Sequence, residues 1–420
     1  MNLRARARSI ALFKQLGPGL VTGAADDDPS GIATYSQAGA QFGFGLLWTL
    51  VLTYPLMTAV QLVSAHIGRV TDHGLAKNMG DILPRWLVTG LVALLFIANT
   101  INIGADIAAM GEAAELVVGW GAHLFTVLFA LASLLLQMFI PYRRYASILK
   151  WLTLVLLAYV ALVFMVHVDW AAAGRGMVWP TIVGASGVTT IVAIFGTTIS
   201  PYLFFWQSSQ EVEEVDQDDD KHALTEAPEQ AGREYSRMRI DTYFGMAVSN
   251  LVALAIMIGT AATLHAAGKT EINTAADAAK ALQPVAGHFA FLLFSLGIIG
   301  TGFLAVPVLA GSSAYAIGES RGWKSGLQHK PWEAVGFYSV IGAATLLGIG
   351  IDWSPLDPIK ALFWSAVING VVAVPIMAAM MIVASRHSAM GEFTATRWLL
   401  FFGWAATAVM AAAATAMIFV

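Results

Sequence analysis

GPGLVTGAADDDPSGIATYSQAGAQFGFG, residues 17–45, is the stretch whose reading decides the fold. It begins as a hydrophobic span, yet carries Asp26, Asp27 and Asp28 followed at once by Pro29, Ser30 and Gly31. Each carboxylate at membrane depth costs roughly 2.5–3.5 kcal/mol on insertion scales unless something cationic or aqueous faces it. Pro29 removes a backbone donor and Gly31 tolerates open conformations, so the helix is expected to break here and leave carbonyls facing a cavity. A broken, acidic first helix marks a cation site.

Working outward, the 420 residues are 57% hydrophobic and 12% charged, with a mean hydropathy of +0.69. That composition is an integral membrane protein. With no cysteine, disulfides, cysteine-ligated zinc and iron–sulfur clusters are excluded. The net charge of -4 gives no reason to expect a nucleic-acid partner. Arg4, Arg6, Arg8 and Lys14 precede a span with no small-residue cleavage site, so the N-terminus reads as a cytoplasmic basic anchor.

Runs of about 20 apolar residues fall near 18–42, 45–68, 86–113, 121–141, 148–167, 188–210, 240–265, 288–317, 334–351, 358–385 and 397–419. With the N-terminus inside, all but four of the 23 Lys and Arg fall in cytoplasmic segments; the exceptions are Arg175, Lys269, Lys280 and Lys360. This asymmetry predicts an external C-terminus in a multi-pass plasma (inner) membrane protein. Connections are short, so one transmembrane domain over 1–420 is expected.

The sixth span, IVAIFGTTISPYLFFWQSSQ, is interrupted between Gly196 and Pro201. Breaks five helices apart are the pattern of two inverted five-helix repeats whose discontinuous helices meet at the midplane. The fold expected is therefore all-α, with repeat one over about 18–167, repeat two over about 188–385, and an eleventh helix, 397–419, outside the pair. Beyond span six, EVEEVDQDDD (Glu211–Asp220) lacks the glycine and downstream glutamate of a calcium loop. It reads as a solvated acidic loop, or as a cation-attracting exit.

At the first break Asp28 is the foremost candidate. The three aspartates could instead cap the second half-helix, and Asp26 and Asp27 could be vestibule or counter-charge residues. At the second break Thr197, Thr198, Ser200 and Tyr202 bring hydroxyls and freed carbonyls, which could also merely repair the backbone. Every group at both breaks is an oxygen donor, which favours hard cations such as Mg2+ or Mn2+.

These two stretches, with the polar third span NIGADIAAMGEAAEL, resemble the NRAMP family of divalent-metal transporters, which share the LeuT-type fold. The family's Asp-Pro-Gly-Asn reads here Asp28 Pro29 Ser30 Gly31, and its Met-Pro-His reads Ser200 Pro201 Tyr202. The resemblance implies that Asp28 is the metal-binding aspartate. It places the asparagine ligand on Gly31, the methionine ligand on Ser200 and the backbone-carbonyl ligand on Thr197. Loss of the amide and the thioether leaves a wetter, all-oxygen site. Thioethers favour softer metals, and Mg2+ keeps several waters. The chain is thus most similar to the NRAMP-related magnesium transporter branch.

In span three Asp106 matches the family's aspartate of the proton route, but the glutamate three residues on is Ala109. The two histidines of the family's sixth span fall on Tyr202 and Gln207. Weak or absent proton coupling follows as an expectation. Asp26, Asp27, Ser30, Tyr202, Gln207, Asp106 and Asn369 are placed around the site or along its pathway. Asn99 and Asn102 read as contacts between helices, and Glu112 and Glu115 as interfacial.

The reading is alternating-access transport of Mg2+ and Mn2+ as largely hydrated ions, with the lipid bilayer and the ion as partners, no cofactor, and a monomer. No HExxH, GxSxG or cysteine nucleophile supports an enzyme. The alternatives are a proton-coupled Mn2+/Fe2+ transporter and a sodium-coupled organic-solute symporter of the same fold. Against the second, a substrate carboxylate would be repelled by Asp28.

Overall fold

The computed structural model describes residues 22–23, 25–140, 154–181, 184–218, 220–353 and 357–419. Parts of the expected spans 18–42, 121–141 and 148–167 lie outside these residues, as do Arg4, Arg6, Arg8, Lys14, Arg143, Arg144 and Lys150.

The described chain is helical, with no strand. After helical residues 22–23 and 25–26 come α1 (Pro29–Phe42), α2 (Leu47–Thr71), α3 (Leu75–Ile82), α4 (Arg85–Val118) and α5 (Ala122–Phe139). Then follow α6 (Leu157–Met165), α7 (Trp170–Val178), α8 (Gly184–Thr198), α9 (Pro201–Asp216) and α10 (Ala231–Thr260). The last four are α11 (Ala290–Arg321), α12 (Val335–Ile349), α13 (Pro358–Ser385) and α14 (Arg397–Phe419). Among the described residues nine segments are long and apolar enough to cross a membrane, or ten with the bent pair α6 and α7, which turns by 119°. Short helices α3 and α7 lie in the connections after the second and fifth expected spans.

Both expected breaks are present. The first falls at Asp27–Asp28, before Pro29 opens α1; the second falls at Ile199–Ser200, before Pro201 opens α9. In each case proline sits at the first helical position, where its missing N–H costs nothing and its fixed φ suits the helix.

Small residues bring the broken helices against their neighbours, as is usual where lipid supplies no hydrophobic drive between helices. Gly196 of α8 lies against the Ala366 carbonyl and Gly370 of α13, close enough that a Cβ would meet backbone on both. Gly23 is pressed in the same way against Gly245 of α10. α4 and α11 form the long central pair, joined by Asn99, whose amide donates to the Leu309 carbonyl at 3.0 Å and to Ser312 and Ser313 at 2.9 Å.

The acidic run after span six is corrected by the structure. Residues up to Asp216 continue α9, and Glu211 and Glu213 are buried rather than solvated. Arg237 of α10 pairs with Glu211, with Glu214 at 3.1 Å and with Glu234 at 3.0 Å, while Tyr315 donates to Glu213. A burial-compatible charge pattern was hidden because the cationic partners come from other helices.

Candidate functional site

Asp28 adopts extended geometry (φ -70°, ψ 171°) as the N-cap of α1. Its Oδ1 accepts from the Gly31 N–H at 2.7 Å and the Ser30 hydroxyl at 2.8 Å. Its Oδ2 faces α4, accepting from Asn102 at 3.3 Å. The cap thus occupies one oxygen of the Asp28 carboxylate, and the other meets Asn102.

Ser200 caps α9 without a side-chain cap bond. Its hydroxyl turns back to the carbonyls that α8 leaves free, Gly196 at 2.7 Å and Thr197 at 2.9 Å. The Thr198 hydroxyl donates to its own helix at Ile194, 2.8 Å away. Thr197 differs: its buried hydroxyl bonds with the Tyr35 hydroxyl of α1 and does not turn back onto α8. A Cβ on Gly31 would lie 3.1 Å from that hydroxyl and 3.4 Å from Asp28 Oδ1. Asp28, Gly31 and Thr197 therefore adjoin across the two breaks, and Ser200 lies one turn beyond Thr197.

Behind Asp28 runs a polar chain to Asp106 and Asn369, both placed around the site by the sequence, through Asn102, whose linking part the sequence did not show. Asn102 donates to Asp28 and, at 3.0 Å, to Asp106, while its own carbonyl accepts from Asn369 of α13 at 2.8 Å. Asn102 is thus the joint between Asp28, Asp106 and Asn369, not a simple contact between helices. The available signal was spacing: Asn102 and Asp106 are four apart, so both lie on one face of α4. Asp106 Oδ1 and Asn369 Oδ1 are buried without partners among the described residues.

On the other side, Ser249 of α10 donates to Asp26 at 2.5 Å and Asp27 at 3.2 Å. The residues at the family's histidine positions pin the turn before the break: Tyr202 donates to the Ala25 carbonyl at 3.1 Å, and the Thr22 hydroxyl to Gln207 at 2.5 Å. Asp26, Asp27, Asp28 and Asp106 are each at most 5% exposed, and none forms an ion pair among the described residues. Nor, among the described residues, do three or more Asp, Glu or His side chains converge there into a metal cage. Uncompensated buried carboxylates need protons or a cation.

The two ends of the bundle differ. At the end carrying Lys77, Arg233 and Arg237, buried Arg69 of α2 reaches Glu234 at 3.5 Å, Gln230 at 2.9 Å and the His222 carbonyl, tying the 217–230 connection under the bundle. At the far end a cavity of about 420 Å³ opens between α1, α8, α13 and the connection after α10. Ala33 and Thr190 line it, five residues beyond Asp28 and seven before Thr197, so its lining begins roughly 8–10 Å along the helices from the breaks.

Residues 19–420 match the family model described as natural resistance-associated macrophage protein-like. The divalent metal cation transporter MntH of Klebsiella pneumoniae is 28% identical over 421 residues, covering 97% of this chain and 94% of that one. MntH of Yersinia pestis is 31% identical over 303 residues, 70% of this chain and 69% of that one. A crystal structure of the Eremococcus coleocola manganese transporter superposes with a TM-score of 0.72 at 18% identity, covering 97% of this chain and 87% of that one. Mhp1, a nucleobase-cation-symport-1 family transporter, gives 0.57 at 13% identity, covering 96% and 92%. These two likenesses show the fold, the LeuT-type arrangement that the family resemblance implies.

Proposed function

The chain belongs to the natural resistance-associated macrophage protein-like family, and from that premise we propose that it is a divalent metal cation transporter working by alternating access. Its substrates are the hard ions Mg2+ and Mn2+, carried with much of their hydration. The observation that carries the reading is the group of buried carboxylates at the first break, with Asp28 foremost, left without a cationic partner among the described residues. Asp28 supplies charge; Thr197, Ser200 and waters complete the shell, and Gly31 leaves room for those waters. A small multivalent cation is the species such a site stabilises.

The single 1–420 domain acts as a monomer in the plasma membrane. The Lys/Arg-rich end faces the cytoplasm, so the far-end cavity is the external mouth and Arg69 and Arg237 close the inner side. The names of the MntH relatives and of the manganese transporter support a divalent-metal substrate. The Mg2+ preference rests on the ligand types alone.

A second reading has one observation in its favour. Asn102 links Asp28 directly to Asp106, which gives a proton a route from the site into α4 and would suit a proton-coupled Mn2+ transporter. One experiment addresses both: proteoliposomes under a Mg2+ or Mn2+ gradient with an internal pH dye. Metal entry abolished by Asp28→Ala, with no acidification, is the expected result. No entry of either ion, or entry indifferent to Asp28→Ala, would sink the proposal. Acidification that tracks metal entry would select the proton-coupled reading.

A further inference from the structure

The far-end cavity carries an unexplained cation. Its lining is mostly neutral, with Gln37, Gln41, Thr189 and Asn273 among its polar groups, and it holds two charges: Glu271 from the connection after α10 and Lys360 from the first turn of α13. The neighbouring lysines Lys269 and Lys280 share one carboxylate partner, Asp277. Lys360 has no such partner: it is exposed and forms no hydrogen bond or ion pair among the described residues, and the same holds for Glu271. Asp357, one turn before Lys360, is turned to cap its own helix at the Ile359 N–H, 3.0 Å away. An ammonium in the lining of the approach to a cation site works against that site.

We propose that Lys360 and Glu271 set the rate of cation capture at the external mouth: Glu271 draws divalent ions in, and Lys360 opposes it and holds the apparent affinity down. The inference rests on the transport reading above. A sphere of about 420 Å³ is about 9 Å across, so an ion inside it is within about one screening length of both side chains. Low-dielectric walls focus such fields, and the ion's double charge doubles the effect. Because both residues lie remote from Asp28, they alter encounter and leave the transport step alone.

The test is initial uptake of Mn2+ and Mg2+ into proteoliposomes holding the full chain, Lys360→Gln, Glu271→Gln or the double variant, in about 10 mM and about 300 mM choline chloride. At low salt Lys360→Gln is expected to lower KM about two- to fivefold and Glu271→Gln to raise it by a similar factor. The double variant returns near the parent, maximal rates stay unchanged, and the differences fade at high salt. An unchanged KM for Lys360→Gln at low salt, in a protein whose parent transports, overturns this inference and leaves the transport reading standing. A salt-independent change confined to the maximal rate overturns it too. If the parent carries neither ion, both fall together.

Discussion

Gly31→Asn, alone and with Ser200→Met, tests the ligand argument where the geometry is tightest. A Cβ on Gly31 sits 3.1 Å from Thr197 Oγ1 and 3.4 Å from both Asp28 Oδ1 and Tyr35 Cε2. Only Thr197 must yield, by a few tenths of an ångström. Its hydroxyl is shared with Tyr35, so turning it aside costs about 1 kcal/mol. The Gly31 N–H keeps its bond to Asp28, and an asparagine is a slightly better helix residue than glycine, so stability should be nearly unchanged. Ser200→Met removes the hydroxyl bonds to Gly196 and Thr197, at about 1 kcal/mol, and releases the Thr197 carbonyl toward the site. The double variant replaces hydration waters with an amide oxygen and a thioether. Mg2+ gives up waters reluctantly and ligates thioethers poorly, whereas Mn2+ stands higher in the softness order. We expect the Mn2+ to Mg2+ uptake ratio to rise about tenfold, or about 1.4 kcal/mol, in competition assays on proteoliposomes. A double variant with the parent's thermal midpoint and an unchanged ratio would refute the reasoning.

Other expected outcomes concern packing and charge. Gly196→Ala drives a methyl into backbone of α13 beside the second break, so it should cost about 1–3 kcal/mol in thermal unfolding and most of the uptake, whereas Gly90→Ala, whose Cβ meets open space, should be neutral or stabilising. Arg237→Met strips Glu211 of its partner and should destabilise by about 3–5 kcal/mol; adding Glu211→Gln should recover most of the loss, and a failure to recover would show that the pair is not the cause. Asp72, just past the end of α2, has its pKa raised to about 6 by burial, with Asp216 adding repulsion, and sits at φ 54°. The raised value means that its folded form is favoured when protonated, a contribution lost as pH rises through about 6. Asp72→Asn, which also suits left-handed backbone, should therefore raise the thermal midpoint at pH 7.5 and have less effect at pH 5; a gain that is equal at both would rule out the charge explanation.

Much of the fold was legible because its signals are local. Membrane spans follow from apolar length, and the two breaks from Asp28-Pro29 and Ser200-Pro201. What failed was local reading of groups whose partners are remote. The acids after Gln210 look solvated until Arg237 and Tyr315 are set beside them. Asn102 looks like one more amide between helices until α1 and α13 place Asp28 and Asn369 on either side of it.

The sequence by itself determined that this is a helical membrane protein with two acidic or hydroxyl-bearing breaks five helices apart, since hydropathy, proline and glycine act within a few residues of where they occur. Only the tertiary structure decided how Asp28 divides its oxygens, capping α1 with one and meeting Asn102 with the other. It alone turned Ser200 back onto the end of α8, set Thr197 beside Gly31, and put Lys360 in the lining of the far-end cavity. Those outcomes depend on which faces of α4, α8 and α13 come within hydrogen-bond reach. Residues some 70 to 270 positions apart fix that reach through packing, and no local pattern encodes it.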